Sequence, residues 1–420
     1  MAIDKNKTSK LLEDIDKLYN LISKPLPKDA KKFIEDKVMA PLYEMVNELI
    51  VSSRAPIIFT MGRSGHGKSS LINALANREV AEVGDIKPTT AESVVHEIKF
   101  EDKYSNWTVI DSRGIFETTT PEGGLELDVE KLLIDDIIKY KPDIILHVIN
   151  ATEVRNLAND LKLFEKIKKE IDKKIQKDIP VILVLNKVDT LGNPRHWPIS
   201  EFKDKEELIK KLNEYMLKDV LDINRYKFLD DDEKARGIEI INSNYLGIVP
   251  VCSLKEDEWN IDTLSNFIGK NIPNETLLDF YQAQGRKDQL RELSDKVINL
   301  FSTVAGGIAL SPIPIADTLI LTPLQLLMIS IIGGLSCKEF SKETAFEYLA
   351  AAGINLGAAM GLRTIAQQVS KLVPGIGNLS SSAIAASGTF AIGKSAEAYF
   401  FGGEIKSLKE YQKEYKEKEK

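Results

Sequence analysis

The sequence predicts an α/β chain: a mostly parallel six-stranded sheet covered on both faces by helices, joined to an all-α domain built from helices at the two ends. Three observations carry this. Short β-branched runs alternate with longer helical patterns between residues 55 and 276; amphipathic periodicity fills the residues before them; and after residue 277 charge thins out while Gly, Ala, Ser and Ile accumulate. Near-continuous apolar strands separated by helices belong to a parallel sheet that is buried on both sides. At 420 residues the chain is long enough for more than one core. The expected division is 1–54, N-terminal helices; 55–276, the α/β domain; 277–403, an apolar helical domain; and 404–420, a charged, solvated helical tail.

In the first segment Leu11, Leu12, Ile15, Leu18, Tyr19 and Ile22, then Ile34, Val38, Leu42, Met45, Val46, Leu49 and Ile50, recur at helical spacing. Two amphipathic helices follow from this, split near "KPLPKD". The six strands read as "IIFTM", "SVVHEIKF", "WTVID", "DIILHVIN", "VILVLN" and "IVPVCS". The net charge of −7 gives no global attraction to nucleic acid or anionic lipid, and no nucleic-acid partner is expected. Cys252 and Cys337 are too few for a disulfide framework, and the four histidines show no ligand spacing. The N-terminus is charged from its fourth residue and lacks the apolar core of a secretory signal, so a cytoplasmic protein is expected.

The first strand runs into "TMGRSGHGKSSL", Thr60 to Leu71, and then into the helical pattern "INALAN". Gly62, Gly67, Lys68 and Ser69 fit the phosphate-binding pattern G-x-x-x-x-G-K-[ST] in the strand-to-helix context that supports it. Glycines let the backbone wrap so that its N–H groups face phosphate oxygens, and the helix N-terminus adds its dipole. Gly62, Ser64, Gly65, Gly67, Lys68, Ser69 and Ser70 are therefore nucleotide-binding candidates. Lys68 would reach the β- and γ-phosphates, and the Ser69 hydroxyl would ligate Mg²⁺. "NKVD", Asn186 to Asp189, ends the strand "VILVLN" at the sheet edge where such folds bind ligands. A carboxylate there can accept from both N1–H and the N2 amine of guanine, and adenine offers neither.

Together these motifs resemble the translation-factor-related P-loop GTPases. The resemblance implies GTP or GDP with Mg²⁺ as the bound species, and GTP hydrolysis as the activity. It assigns Asn186, Lys187 and Asp189 to the base and "DSRG", Asp111 to Gly114, to the D-x-x-G motif. Asp111 would hold magnesium, and Gly114 would sense the γ-phosphate. In "KPTT", Thr90, or failing it Thr89, is similar to the switch threonine that closes over the metal. "CSL", Cys252 to Leu254, stands where the family has S-A-K or S-A-L, placing Ser253 and Leu254 near the base. Where Ras-like enzymes carry a water-orienting glutamine this chain has Ile115, a replacement shared by Era-like, septin-like and immunity-related GTPases, so slow hydrolysis is expected without a second subunit or partner. Arg63 and Arg113 are the cis candidates for a catalytic arginine, although a solvated or locally bonded arginine is the commoner case. His66 is expected to be an outward-facing spacer.

From Val297 to Leu335 the only charged residue is Asp317. Pro312, Pro314 and Pro323 interrupt the run, which favours two shorter helices hinged at "SPIPIAD" over one membrane span. Gly353, Gly357 and Gly361 are expected on one helical face, where backbones can touch. This region resembles the hydrophobic C-terminal domain of unknown function attached to some bacterial Era-like GTPases, in a layout similar to immunity-related and dynamin-like proteins. That resemblance implies GTP-controlled association with a membrane surface or protein partner, and a GTP-dependent homodimer. Three roles follow: a dynamin-like GTPase acting on membranes, a soluble switch for a protein effector, and a ribosome-assembly GTPase.

Overall fold

The computed structural model describes residues 32, 35–36, 40–48, 52–79, 93–100, 105–112, 129–175, 178–309, 316–338, 341–353 and 382–418. By contact clustering the chain forms two compact units. One comprises Ala55–Phe100 with Asn106–Phe280; the other comprises Met1–Arg54, Glu101–Ser105 and Tyr281–Lys420. A short helix, α1 (Ala40–Val46), belongs to the second.

The first unit is built on β1 (Ile57–Met61), α2 (Lys68–Ala76), β2 (Val94–Phe100), β3 (Ser105–Asp111), α3 (Val129–Tyr140), β4 (Ile144–Asn150), α4 (Ala158–Lys174), β5 (Val181–Asn186), α5 (Lys203–Tyr215), β6 (Tyr226–Phe228), β7 (Ile238–Ile240), β8 (Gly247–Pro250) and α6 (Ile261–Asn271). The sheet order is β2-β3-β1-β4-β5-β8-β7-β6. Strand β1 pairs in parallel with β3 and β4, and the parallel run continues through β5 to β8. All six residues of β5 are buried, as are six of seven in β4, which is why both read as unbroken apolar runs. Helices α3 and α4 cover this centre with Leu133, Ile137, Phe164, Ile167 and Ile171.

Eight strands are present, not the six expected. The additional β6 and β7 add antiparallel to the β8 edge. With three residues each, "YKF" and "IEI", they are shorter than the window in which alternation becomes readable. Tertiary pairing to an available edge defines them, not their own pattern.

The second unit contains α8 (Lys287–Ala309), α9 (Ala316–Leu335), α10 (Lys342–Ala351), α11 (Ser382–Phe401) and α12 (Leu408–Lys418), following α7 (Asn274–Gln284). Helix α8 ends at Ala309 and α9 begins at Ala316, residues 310–315 of the expected hinge lying outside the described residues; Pro323 lies inside α9 and does not end it. Helix α9 is largely apolar because its described part is packed: Leu324, Met328, Ile329, Ile331, Ile332 and Leu335 are all buried. Two of its buried polar residues are bonded, Gln325 Nε2 donating to Thr389 Oγ1 at 3.2 Å and Ser330 Oγ donating to Leu326 O at 2.9 Å. Among the described residues no helix is long and apolar enough to cross a membrane.

Two expectations are corrected here. Gly353 does not sit on a helical face: it follows the end of α10 at φ 84°, where glycine terminates a helix. Gly357 and Gly361 lie outside the described residues. The close packing falls instead at Gly393 of α11, where an added Cβ would meet Ile298 Cγ1 of α8 at 2.8 Å. The charged tail is not wholly solvated either. Tyr411 of α12 is buried, and Tyr415 packs on Phe390 with ring centroids 5.1 Å apart.

Candidate nucleotide-binding site

Strand β1 ends at Met61, and the loop from Gly62 to Gly67 turns the chain into α2. The loop lies close against its neighbours. A Cβ on Gly62 would stand 2.1 Å from Val148 O, and one on Gly67 would stand 2.4 Å from Asn186 Nδ2. Gly62, Gly65 and Gly67 have φ of 146°, 77° and 88°, in the region glycine tolerates. Lys68 is partly buried and folds back over the loop, its Nζ donating to Gly62 O at 3.3 Å and Arg63 O at 3.5 Å. Ser64 is exposed and Ser70 half-buried beside it.

Asp111, the last residue of β3, faces this loop from the adjacent strand. Its Oδ2 accepts from Ser69 Oγ at 3.1 Å, and Thr60 Oγ1 lies 3.1 Å from its Oδ1. A serine hydroxyl and a carboxylate meeting at the N-terminus of α2 form a hard-oxygen pair of the kind Mg²⁺ selects. Magnesium fits the residues present.

The sequence motif at the end of β5 is tied directly to the loop. Asn186 Nδ2 donates to His66 O at 3.1 Å and to Gly67 O at 3.3 Å, while its Oδ1 accepts from Ser253 Oγ at 3.0 Å and Lys187 N at 2.9 Å. One buried amide therefore joins three of the expected segments. Lys187 has φ 63° and lays its Cε 3.6 Å from where a Gly67 Cβ would be. Asp189 is half-buried, and Cys252 behind it is wholly buried, its thiol pushed up to about 12 chiefly by burial. That leaves Cys252 a neutral packing residue. Its backbone pairs with Trp259, so the turn through Ser253 and Leu254 is pinned while the Leu254 side chain stays exposed. Thr89, Thr90, Arg113, Gly114 and Ile115 lie outside the described residues.

The motifs so assembled carry their own comparisons. Residues 57–187 match the family model described as "50S ribosome-binding GTPase". Over this stretch the chain is similar to the GTPase domains of the Era and MnmE proteins. It is 25% identical over 287 residues to a tRNA modification GTPase MnmE of Mycoplasma mycoides, covering 65% of this chain and 59% of that protein. To the MnmE of Mesoplasma florum it is 30% identical over 164 residues, 37% of this chain and 32% of that one. To a GTPase Era of Fusobacterium nucleatum it is 29% identical over 161 residues, 38% and 47% of the two chains. Among solved structures it aligns with Era in complex with MgGDPNP and nucleotides 1506-1542 of 16S ribosomal RNA, at 21% identity and a TM-score of 0.33, over 60% of this chain and 68% of that chain. The chain spans from about a third to three fifths of the length of the first two MnmE proteins.

Two loop residues behave otherwise than sequence suggests or in ways it does not reveal. His66 is no outward-facing spacer; it is buried, with Nδ1 3.2 Å from Val148 O and Nε2 3.2 Å from Glu153 Oε2. Burial holds its pKa below the ordinary value against the opposing pull of Glu153. The cause is the short distance to β4: the loop has no solvent on that side. Arg63 is locally bonded, forking onto Asp160 of α4 through Nε at 2.9 Å and Nη2 at 2.6 Å. This hydrogen bond raises the guanidinium pKa further. Asp160, Glu153 and Lys205 are the site residues that motif reading passes over. For Asp160 and Lys205 the signal is a charged residue on an apolar stripe, as in Asp160, Phe164, Ile167 and Ile171, all buried.

Proposed function

We propose that this protein binds GTP with Mg²⁺ and hydrolyses it to GDP, using the switch to change what its helical unit engages. The observation that supports this most is the Asn186 amide, which sets the base-reading turn at a fixed distance from the phosphate loop. In this reading Gly62, Ser64, Gly65, Gly67 and Ser70 line the phosphates with backbone N–H groups, and Lys68 neutralises charge moving toward the β–γ bridge. Ser69, Asp111 and Thr90 hold the metal, which when bound supplies charge neutralisation between the phosphates. Gly114 senses the γ-phosphate. Asn186 and Lys187 brace the base site, Asp189 reads guanine, and the Ser253–Leu254 turn supports the guanine oxygen. With Ile115 in place of a glutamine and Arg63 engaged by Asp160, water activation falls to a second copy or a partner, so the isolated chain turns over slowly.

For the output, the packing of α9 inside the helical unit supports a protein partner over membrane remodelling, because the described apolar residues from Leu324 to Leu335 are consumed by the core. A second reading is RNA-linked: the relatives named for tRNA modification and the Era structure holding a ribosomal RNA segment favour it, against the expectation of no nucleic-acid partner. Isothermal titration of GTP with Mg²⁺ into wild type and Lys68→Ala tests the foundation. Tight binding lost in the variant supports it; equal affinity ends it.

A further inference from the structure

Lys205 occupies the first turn of α5, yet its side chain has no solvent exposure. Its ammonium donates to Asp189 O at 2.7 Å, to Asn193 O at 3.0 Å and to Leu191 O. Three carbonyls from alternate residues of a five-residue arc thus converge on one point. Converging carbonyl dipoles repel each other unless a cation sits among them, so the arc keeps this shape only with a donor of three hydrogen bonds at its centre. Burial lowers the Lys205 pKa, and the charges of Asp189 and Asp204 oppose that. The arc begins at the residue assigned to the base: Asp189 lies in the single turn Val188–Thr190, whose start is held by Thr190 Oγ1 donating to Lys187 O at 2.7 Å.

We propose that Lys205 is a positioning residue for base selectivity: by gathering the carbonyls of Asp189, Leu191 and Asn193 it fixes the backbone from which Asp189 presents its carboxylate. This rests on the reading of Asp189 as the guanine-binding residue. Lys205 touches neither base nor phosphate. Its effect is geometric, because two hydrogen bonds to guanine require both carboxylate oxygens in the plane of the base edge, and a swing of the supporting turn loses that alignment first.

The test compares GDP with IDP, which lacks the N2 amine, by fluorescent-nucleotide titration on the full chain. In Lys205→Met, which keeps volume and removes the donors, GDP affinity is expected to fall about tenfold or more and IDP affinity by distinctly less, since IDP has only its N1–H bond to lose and GDP loses the amine bond as well, so the GDP to IDP ratio narrows. A residue that merely stabilises the fold would weaken both nucleotides alike, and an unchanged GDP to IDP ratio overturns the proposal. Should Lys205→Met fail to fold, Lys205→Gln, whose shorter and uncharged amide offers two donors to three carbonyls and so leaves the arc incompletely held, is measured in the same way and decides by the same ratio. Asp189→Asn separates this proposal from the reading beneath it. If that variant keeps the wild-type ratio, Asp189 is not the guanine reader. If it collapses the ratio and Lys205→Met does not, the Lys205 proposal alone fails.

Discussion

Arg63 and Asp160 form a two-pronged ion pair that fastens the phosphate loop to the first turn of α4, with the carboxylate 1% exposed and the guanidinium 31% exposed. A second contact runs parallel to it, from His66 to Glu153, which also accepts from Asn150 Nδ2 at 2.9 Å. Burial alone would raise the Glu153 pKa; the hydrogen bonds from His66 and Asn150 and the nearby positive charges bring it below the ordinary range. The loop is thus held at both ends of its exposed arc by side chains from one neighbouring segment.

The Arg63 pair gives the first prediction. Arg63→Ala leaves a buried carboxylate without its fork and is expected to cost about 2–4 kcal/mol, somewhat under the range for a fully buried pair because the arginine is partly solvated. Asp160→Ala should cost less, since the surviving arginine can reach water. Urea unfolding of both variants and of the double variant measures this. A single-variant order reversed from the one given would show that the arginine, not the acid, is the buried charge.

Gly67 gives the second. At φ 88°, with Asn186 Nδ2 2.4 Å from the position of a Cβ, alanine is both strained and obstructed. Strain of this kind costs about 1–3 kcal/mol, and relief requires the Asn186 amide to move, breaking the link between the base turn and the loop. Gly67→Ala should therefore lose nucleotide affinity by about a hundredfold or more while far-UV circular dichroism stays that of wild type. Titration at wild-type affinity would show that the link is dispensable.

What the sequence made legible, and what it did not, divides along one physical line. The Gly62–Ser69 loop, Asp111 and Asn186–Asp189 were readable because each is a local pattern at a strand end, where backbone geometry dictates residue type. Strands β1, β4 and β5 were readable because burial on both faces leaves an apolar run. Asp160, Glu153 and Lys205 were hidden because their partners are 97, 87 and 12 to 16 residues away, and no local rule encodes such a distance. The three-residue strands β6 and β7 were hidden for the same reason, as they owe their conformation to the edge they pair with. A charged side chain inside an apolar stripe, Lys205 before Ile209, Leu212 and Met216, was the available sign.

His147 carries a pH prediction. It is fully buried in β4, with Nδ1 2.7 Å from Tyr245 Oη and its ring stacked on Tyr245 and near Phe164, and burial pushes its pKa down to about 3. A histidine whose folded pKa lies below its unfolded one is neutral in the native state and takes up a proton on unfolding. Its contribution to stability is complete above the unfolded pKa of about 6.5 and is lost as pH falls from there toward about 3, at roughly 1.4 kcal/mol per pH unit. His66 acts in the same direction. Unfolding free energies from urea titrations between about pH 7 and pH 5 should therefore fall with acid, and His147→Asn should flatten that slope by about one proton. An unaltered slope would place the proton uptake on other groups.

The helical unit yields the last prediction at Gly393. An added Cβ there would stand 2.8 Å from Ile298 Cγ1, 3.0 Å from Ile298 Cγ2 and 3.1 Å from Met328 Sδ, so α11 is held against α8 and α9 at a separation only glycine permits. Met328 can turn aside, but the β-branched Ile298 has little rotamer freedom in a helix, so it must move with its backbone. Gly393→Val should destabilise the chain by about 1–3 kcal/mol through overpacking, outweighing the helix propensity it gains over glycine. Removing the obstacle tests the cause: Ile298→Ala is destabilising alone by leaving a cavity, yet combined with Gly393→Val it should recover at least about 0.5 kcal/mol relative to the sum of the two single costs. Strict additivity in the unfolding free energies would mean that these two side chains do not compete for the same space, and that the close approach of α8 and α11 has another origin.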